Sequence, residues 1–140
     1  GLLKVGANDV WHQGNLPYET GTWSPRITGV GNWEHALIAW SSGRYTRIGN
    51  IVHLTGKVGL SSKNGMTGDV VVGNFPFSAA ENAAGVIGFA TYATADTFTL
   101  HIDGGVDFAY VLRKSPSVLD SGDISDSFYI SGLEITYHID

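Results

Sequence analysis

Between Arg44 and Leu60 the side chains alternate in character, and this period of two constrains the fold more than any other feature. Ile48, Val52, Leu54, Val58 and Leu60 share one parity, while Arg47, His53, Thr55 and Lys57 share the other. Successive side chains of a strand point to opposite faces, so the stretch reads as a strand with one apolar and one wet face. Gly49-Asn50 interrupts it with residues that suit a tight turn, which predicts a hairpin of residues 45–48 and 51–60.

The alternation returns twice. Thr97, Thr99, His101 and Asp103 alternate with Phe98, Leu100 and Ile102; beyond Gly104-Gly105, Val106, Phe108, Tyr110 and Leu112 alternate with Asp107, Ala109, Val111 and Arg113. This predicts a second hairpin, with the larger residues of its second arm inside. Near the end, Leu133, Ile135, Tyr137 and Ile139 alternate with Glu134, Thr136, His138 and Asp140. Further strands are expected over residues 23–28, 35–41, 69–72, 86–94 and 128–131. Ser78 and Glu81 have the spacing of a capping box, but Gly85 limits any helix there to a corner of a turn or two. The expected fold is all-β, an antiparallel β-sandwich of jelly-roll type with about eight to ten short strands.

Composition agrees. At 140 residues the chain suits one domain; charged residues are 15% and Gly numbers 19, too little charge for a helical bundle or a disordered chain. No run reaches the roughly 18 apolar residues of a membrane span, so no membrane insertion is expected. With no Cys, disulfides, thiolate metal sites and thiol nucleophiles are excluded. Residues 1–68 hold six Lys/Arg and three Asp/Glu, and residues 69–140 hold two and ten, giving +3 and −8 for a total of −5. So acidic a chain neutralises few phosphates, so no nucleic-acid partner is expected.

Three segments, Gly21-Thr22-Trp23-Ser24-Pro25, Gly43-Arg44-Tyr45-Thr46-Arg47-Ile48-Gly49-Asn50-Ile51-Val52 and Gly73-Asn74-Phe75-Pro76-Phe77, resemble the C-terminal β-sandwich domain of bacteriophage tail fibres and tailspikes, and of prophage and tailocin fibres. The family pattern looks like G-T-W-[ST]-P, then G-x-Y-x-[KR]-I-G-N-x-V, then G-x-[LF]-P-F. Val10-Trp11-His12-Gln13-Gly14-Asn15 is also similar to the segment that precedes such tips. The resemblance implies a homotrimeric tip in a virion tail fibre, assembled in the bacterial cytoplasm and acting outside the cell on a surface polysaccharide or lipopolysaccharide. Residues 1–20 would be a lead-in from the fibre N-terminal to this domain, partly ordered at the trimer interface, and residues 21–140 the tip. An alternative is a structural trimerisation cap on a fibre whose receptor or depolymerase site lies elsewhere. The motif residues themselves read as fold determinants, with Trp23 and Tyr45 as core anchors.

Sugar recognition needs flat apolar faces and planar polar groups. Trp33, which no alternation demands, is the expected stacking platform, with Asn32, Glu34 and His35 reading hydroxyls; Tyr92 and Asp96 form a second aromatic-plus-acid candidate. Trp40 is expected in the core. Asp103 and Asp107 flank the glycine turn, and Asp120, Asp123 and Asp126 share a loop, but neither group has EF-hand spacing, so no metal is expected. No two His are closer than 18 positions, and nucleotide and nucleophile-elbow motifs are absent, so neither a cofactor nor an enzyme is expected. Thr55, Gly59, Ala109, Val111 and Thr136, read as outward, would leave a mild apolar patch for a trimer to cover.

Overall fold

The alternating stretch forms the expected hairpin. In the computed structural model, which describes residues 18–33, 35–93, 98–113 and 118–140 (Tyr92 and Ala93 by backbone alone), it joins β3 (Leu37–Ile48) to β4 (Ile51–Ser62). Gly49 turns the chain with φ 61°. The other strands are β1 (Tyr18–Trp23), β2 (Arg26–Gly29), β5 (Val70–Gly73), β6 (Ala83–Ala93), β7 (Phe98–Ile102), β8 (Ala109–Arg113) and β9 (Ile124–His138). All nine form one antiparallel sheet in the order β1-β3-β4-β9-β6-β7-β8-β5-β2. The all-β antiparallel expectation holds, although β3, β4, β6 and β9 run 11 to 15 residues. Segments expected as separate short strands, such as 128–131 and 133–139, are one continuous strand. β1 also runs across the boundary expected between residues 20 and 21.

The strand expected over residues 23–28 breaks at Ser24-Pro25, and this break shapes the sheet. β1 and β2 are its two edges, yet only two residues link them. Such a link spans at most about 11 Å, so the sheet rolls until its edges approach. The link crosses the inner face of β3 and β4 where both carry glycine, Gly43 opposite Gly56. A Cβ on Gly43 would stand 2.5 Å from Trp23 Nε1, and one on Gly56 3.0 Å from Pro25 Cγ. The Trp23 indole N–H donates to the carbonyls of Arg44 (3.2 Å) and Thr55 (3.0 Å). Ser41 Oγ donates to Pro25 O at 2.6 Å.

Inside the roll, Val52, Leu54, Val58 and Leu60 of β4 and Leu133, Ile135 and Tyr137 of β9 share one core with Ile27, Val70, Val72, Leu100, Ile102, Ala109 and Val111 from the short strands. Phe75 bridges Trp23 and Tyr137, with ring centroids 5.4 and 6.0 Å away. Tyr137 is 1% exposed and donates its hydroxyl to Phe77 O at 2.7 Å.

Three expectations are corrected. Residues 78–81 form no helical corner: Ala79 N donates to Val106 O and Ala80 N to His138 O, which lays the segment across two strand ends. The described helical turn is Ser121–Asp123, capped by Asp120. In β8 the faces are reversed: Leu100 pairs with Val111, so Ala109 and Val111 face the core and Tyr110 faces outward. Gly59 does face outward but is covered by Trp40, so Gly59, Ala109 and Val111 form no outward apolar patch.

Two outcomes follow. Gly43→Ala forces a methyl into the Trp23 indole and lowers unfolding stability by about 1–3 kcal/mol in urea titration. Burial pushes the Tyr137 phenol above its usual 10.0, and the charge of Asp107 acts in the same direction. The neutral phenol therefore contributes stability that is fully present below pH 10 and lost as pH rises beyond it. Tyr137→Phe, followed by thermal melts from pH 8 to 11, should flatten that alkaline loss.

Candidate functional site

The reversed faces of β8 matter because the outward side of β2, β5 and β8 is not left to solvent. Thr28 and Val71, which pair with each other on that side, are buried. Phe108 and Tyr110 stand on it in edge contact, with centroids 5.6 Å apart. The β2–β3 loop folds back over them. Its path is pinned by Gly31 N donating to Thr67 O (2.9 Å) and by the Asn32 side chain, which donates Nδ2 to Gly65 O and accepts from Thr67 N, both at 2.7 Å. That double tie sets Trp33 edge-on to Phe108, with centroids 5.1 Å apart and planes at 63°.

Around this aromatic pair lies a cleft of about 400 Å³, lined by Arg26 and Thr28 of β2, Trp33, Gly73 at the end of β5 and Asn74 after it, and Asp107 and Phe108 of the β7–β8 loop. Trp33 keeps 47% of its surface exposed. Arg26 is anchored through Nη2 to Ala36 O at 2.8 Å. Asn74 adopts a positive φ of 72° and donates Nδ2 to Ser24 O at 2.9 Å, which ties the cleft wall to the β1–β2 link. Phe75 N donates to Asp107 O at 3.1 Å and fixes the opposite loop. The Asp107 carboxylate is exposed and makes no hydrogen bond or ion pair among the described residues. An aromatic wall with a few converging polar groups suits a ligand that is apolar on its faces and hydroxylated at its edges.

Of the residues singled out from sequence, Trp33 lines the cleft, and so does Asp107, which the sequence marks only with Asp103 as an acidic pair. Asn32 is not among the described residues that line it: both ends of its amide close the loop, which positions its neighbour. His35 is exposed outside the cleft, its carbonyl accepting from Asn64 Nδ2 at 2.8 Å. Glu34 and Asp96 lie outside the described residues. Tyr92 belongs by backbone to β6, a strand that supplies none of the described residues lining the cleft, and its side chain lies outside the described residues. Asp103 pairs with His101 at 2.9 Å, apart from Asp107. The three loop aspartates are occupied locally: Asp120 accepts from Gly122 N, Asp123 from Asp120 N and Arg113, and Asp126 from Lys63 N. Among the described residues no three His, Asp or Glu side chains gather for a metal.

Arg26, Thr28, Asn74 and Phe108 were missed. One signal was present for Phe108: Phe108 and Tyr110 alternate with the small Ala109 and Val111, the mark of a strand covered on both faces. In comparisons with known proteins, no family model, curated protein or solved structure matches this chain.

Asn32→Ala removes both loop ties and should lower stability by about 1–3 kcal/mol. Urea unfolding checks this, and unchanged stability would return Asn32 to the ligand-facing set.

Proposed function

We propose that this protein is the receptor-binding tip of a phage or phage-like tail fibre, adhering to a bacterial surface polysaccharide or lipopolysaccharide without chemical conversion. The observation that supports this most is the Trp33–Phe108 cleft. Its exposed aromatic surface and unpaired carboxylate are groups that suit stacking on and hydrogen-bonding to sugars. The fibre context comes from the resemblance of the three segments at residues 21–25, 43–52 and 73–77. In that context three copies share an axis, and residues 1–20 lead in from the preceding fibre. A row of exposed apolar residues near the first described strand, Tyr18 beside Ile48 beside Ile51, supports a subunit contact next to that lead-in. Weak affinity per site would be raised by three sites on one particle.

A purely structural cap is the second reading. The observation behind it is that the segments carrying the resemblance are consumed by packing: Trp23 on Gly43, Phe75 on Trp23, Tyr45 edge-on to Phe77.

Trp33→Ala should lower adsorption to host cells by about tenfold or more while light scattering still reports the trimer. Unchanged adsorption would favour the cap. Ile48→Lys with Ile51→Lys should release particles of 14.9 kDa, and a wild-type domain already of that mass would overturn the trimer.

A further inference from the structure

The outward face of the long strands carries a different set of groups. Trp40, Gly59 and Tyr129 lie in one row across β3, β4 and β9. Two strand spacings separate the aromatics by roughly 9–10 Å of backbone, yet their ring centroids are 5.3 Å apart. They meet because Gly59 has no side chain: a Cβ there would stand 2.6 Å from the Trp40 ring and 3.0 Å from Tyr129 Cβ. Trp40, expected in the core, therefore reclines over the sheet with 41% of its surface exposed. Phe89, 54% exposed, continues the row 5.8 Å beyond Tyr129.

Beside this row the β4–β9 register shifts between Gly56 and Val58. The irregularity opens a trough of about 320 Å³, bordered by Ser42, Arg44, Thr55, Lys57, Ser131 and Glu134. Arg44 pairs with Thr55 and Ser42 with Lys57, so the two cations are diagonal neighbours on one face. Other described cations are engaged: Arg47 with Glu19 and Gly49 O, Lys63 with two carbonyls, Arg113 with Asp123, and Arg26 with Ala36 O. The side chains of Arg44 and Lys57 make no hydrogen bond or ion pair among the described residues; Lys57 Nζ stands 6.0 Å from the Trp40 ring centroid. Glu134 lies in the same row as Arg44, two strands away with Thr55 between them.

We propose that this face is a second binding surface, for a carboxylate-bearing polysaccharide whose rings lie on Trp40, Tyr129 and Phe89 and whose acid groups pair with Arg44 and Lys57. The proposal rests on the glycan-binding reading but uses none of the Trp33 cleft. Two separated single cations suit acid groups on successive sugars better than one multiply charged phosphate, which calls for converging donors. A second copy of the chain is the poorer occupant, because the centre of the face holds unpaired cations and hydroxyls, whereas the centre of a protein interface is depleted of charge.

The test is affinity electrophoresis of the whole domain through gels containing polygalacturonate, dextran or polyphosphate. Because the chain carries −5 overall, retardation by a polyanion reports a local cationic site. Polygalacturonate should retard the wild type most strongly. Arg44→Ala with Lys57→Ala, both exposed, should weaken that retardation at least about tenfold with an unchanged melting temperature, and so should Trp40→Ala or Phe89→Ala. Trp33→Ala should leave it intact, which keeps failure here separate from failure at the cleft. The proposal is overturned by equal retardation in dextran, by stronger retardation in polyphosphate, or by an unaffected double variant. Concentration-dependent self-association abolished by the same substitutions would also overturn it.

Discussion

The Trp23 indole N–H, shared between the carbonyls of Arg44 and Thr55, is the contact on which the architecture turns. A buried donor with two acceptors costs nothing in unsatisfied polarity, and its ring needs bare backbone beneath it. Gly43 supplies that surface, and Gly56 does the same for Pro25. With the link seated there, the chain leaves one edge of the sheet and resumes at the other. The same corner gathers all three segments that carry the fibre resemblance. Phe75 packs on Trp23, Asn74 holds Ser24, and Tyr45 lies over Gly21 and against Phe77. Arg47 closes the group, with its guanidinium 5.4 Å from the Phe77 ring centroid and beside Glu19.

The corner and the cleft share a wall but not a purpose. Asn74 serves both, its amide nitrogen anchoring the link while the residue borders the cleft. The remaining cleft residues come from the edge strand β2 and two loops, which substitutions can reshape without touching the indole. The long outward face is zoned along its strands. Apolar side chains from β1, β3 and β4 cluster near Tyr18, polar ones fill the middle, and rings occupy the end near Trp40.

What could be read from the sequence was whatever depends on neighbours along the chain. The hairpin at Gly49-Asn50 and the inward parity of Val52, Leu54, Leu133 and Ile135 follow from strict alternation next to a turn. What failed depended on contacts between distant segments. Phe108 and Tyr110 were assigned inward by size, because the sequence does not show that a loop 75 residues earlier covers their face. Trp40 was assigned to the core for the same reason, since its place depends on a glycine in the partner strand. Ile48 shares parity with the core residues of β4, but the two-residue turn pairs it with Ile51 and so puts it on the outward face, where it is 42% exposed. Trp33 was legible because it stood outside every alternation; Asn32 beside it was not, since its two bonds reach residues 65 and 67.

The sheet order places β9, the last of the nine strands along the chain, between β4 and β6. On one side of it lie β1, β3 and β4; on the other lie β6, β7, β8, β5 and β2. Local hairpins can form as each part is synthesised, but the two sides have no lateral join until residues 124–138 have left the ribosome. Pairings of such long sequence separation are slow. Folding of this domain is therefore completed after its translation, and a frameshift near its end removes the strand that makes the two sides one sheet.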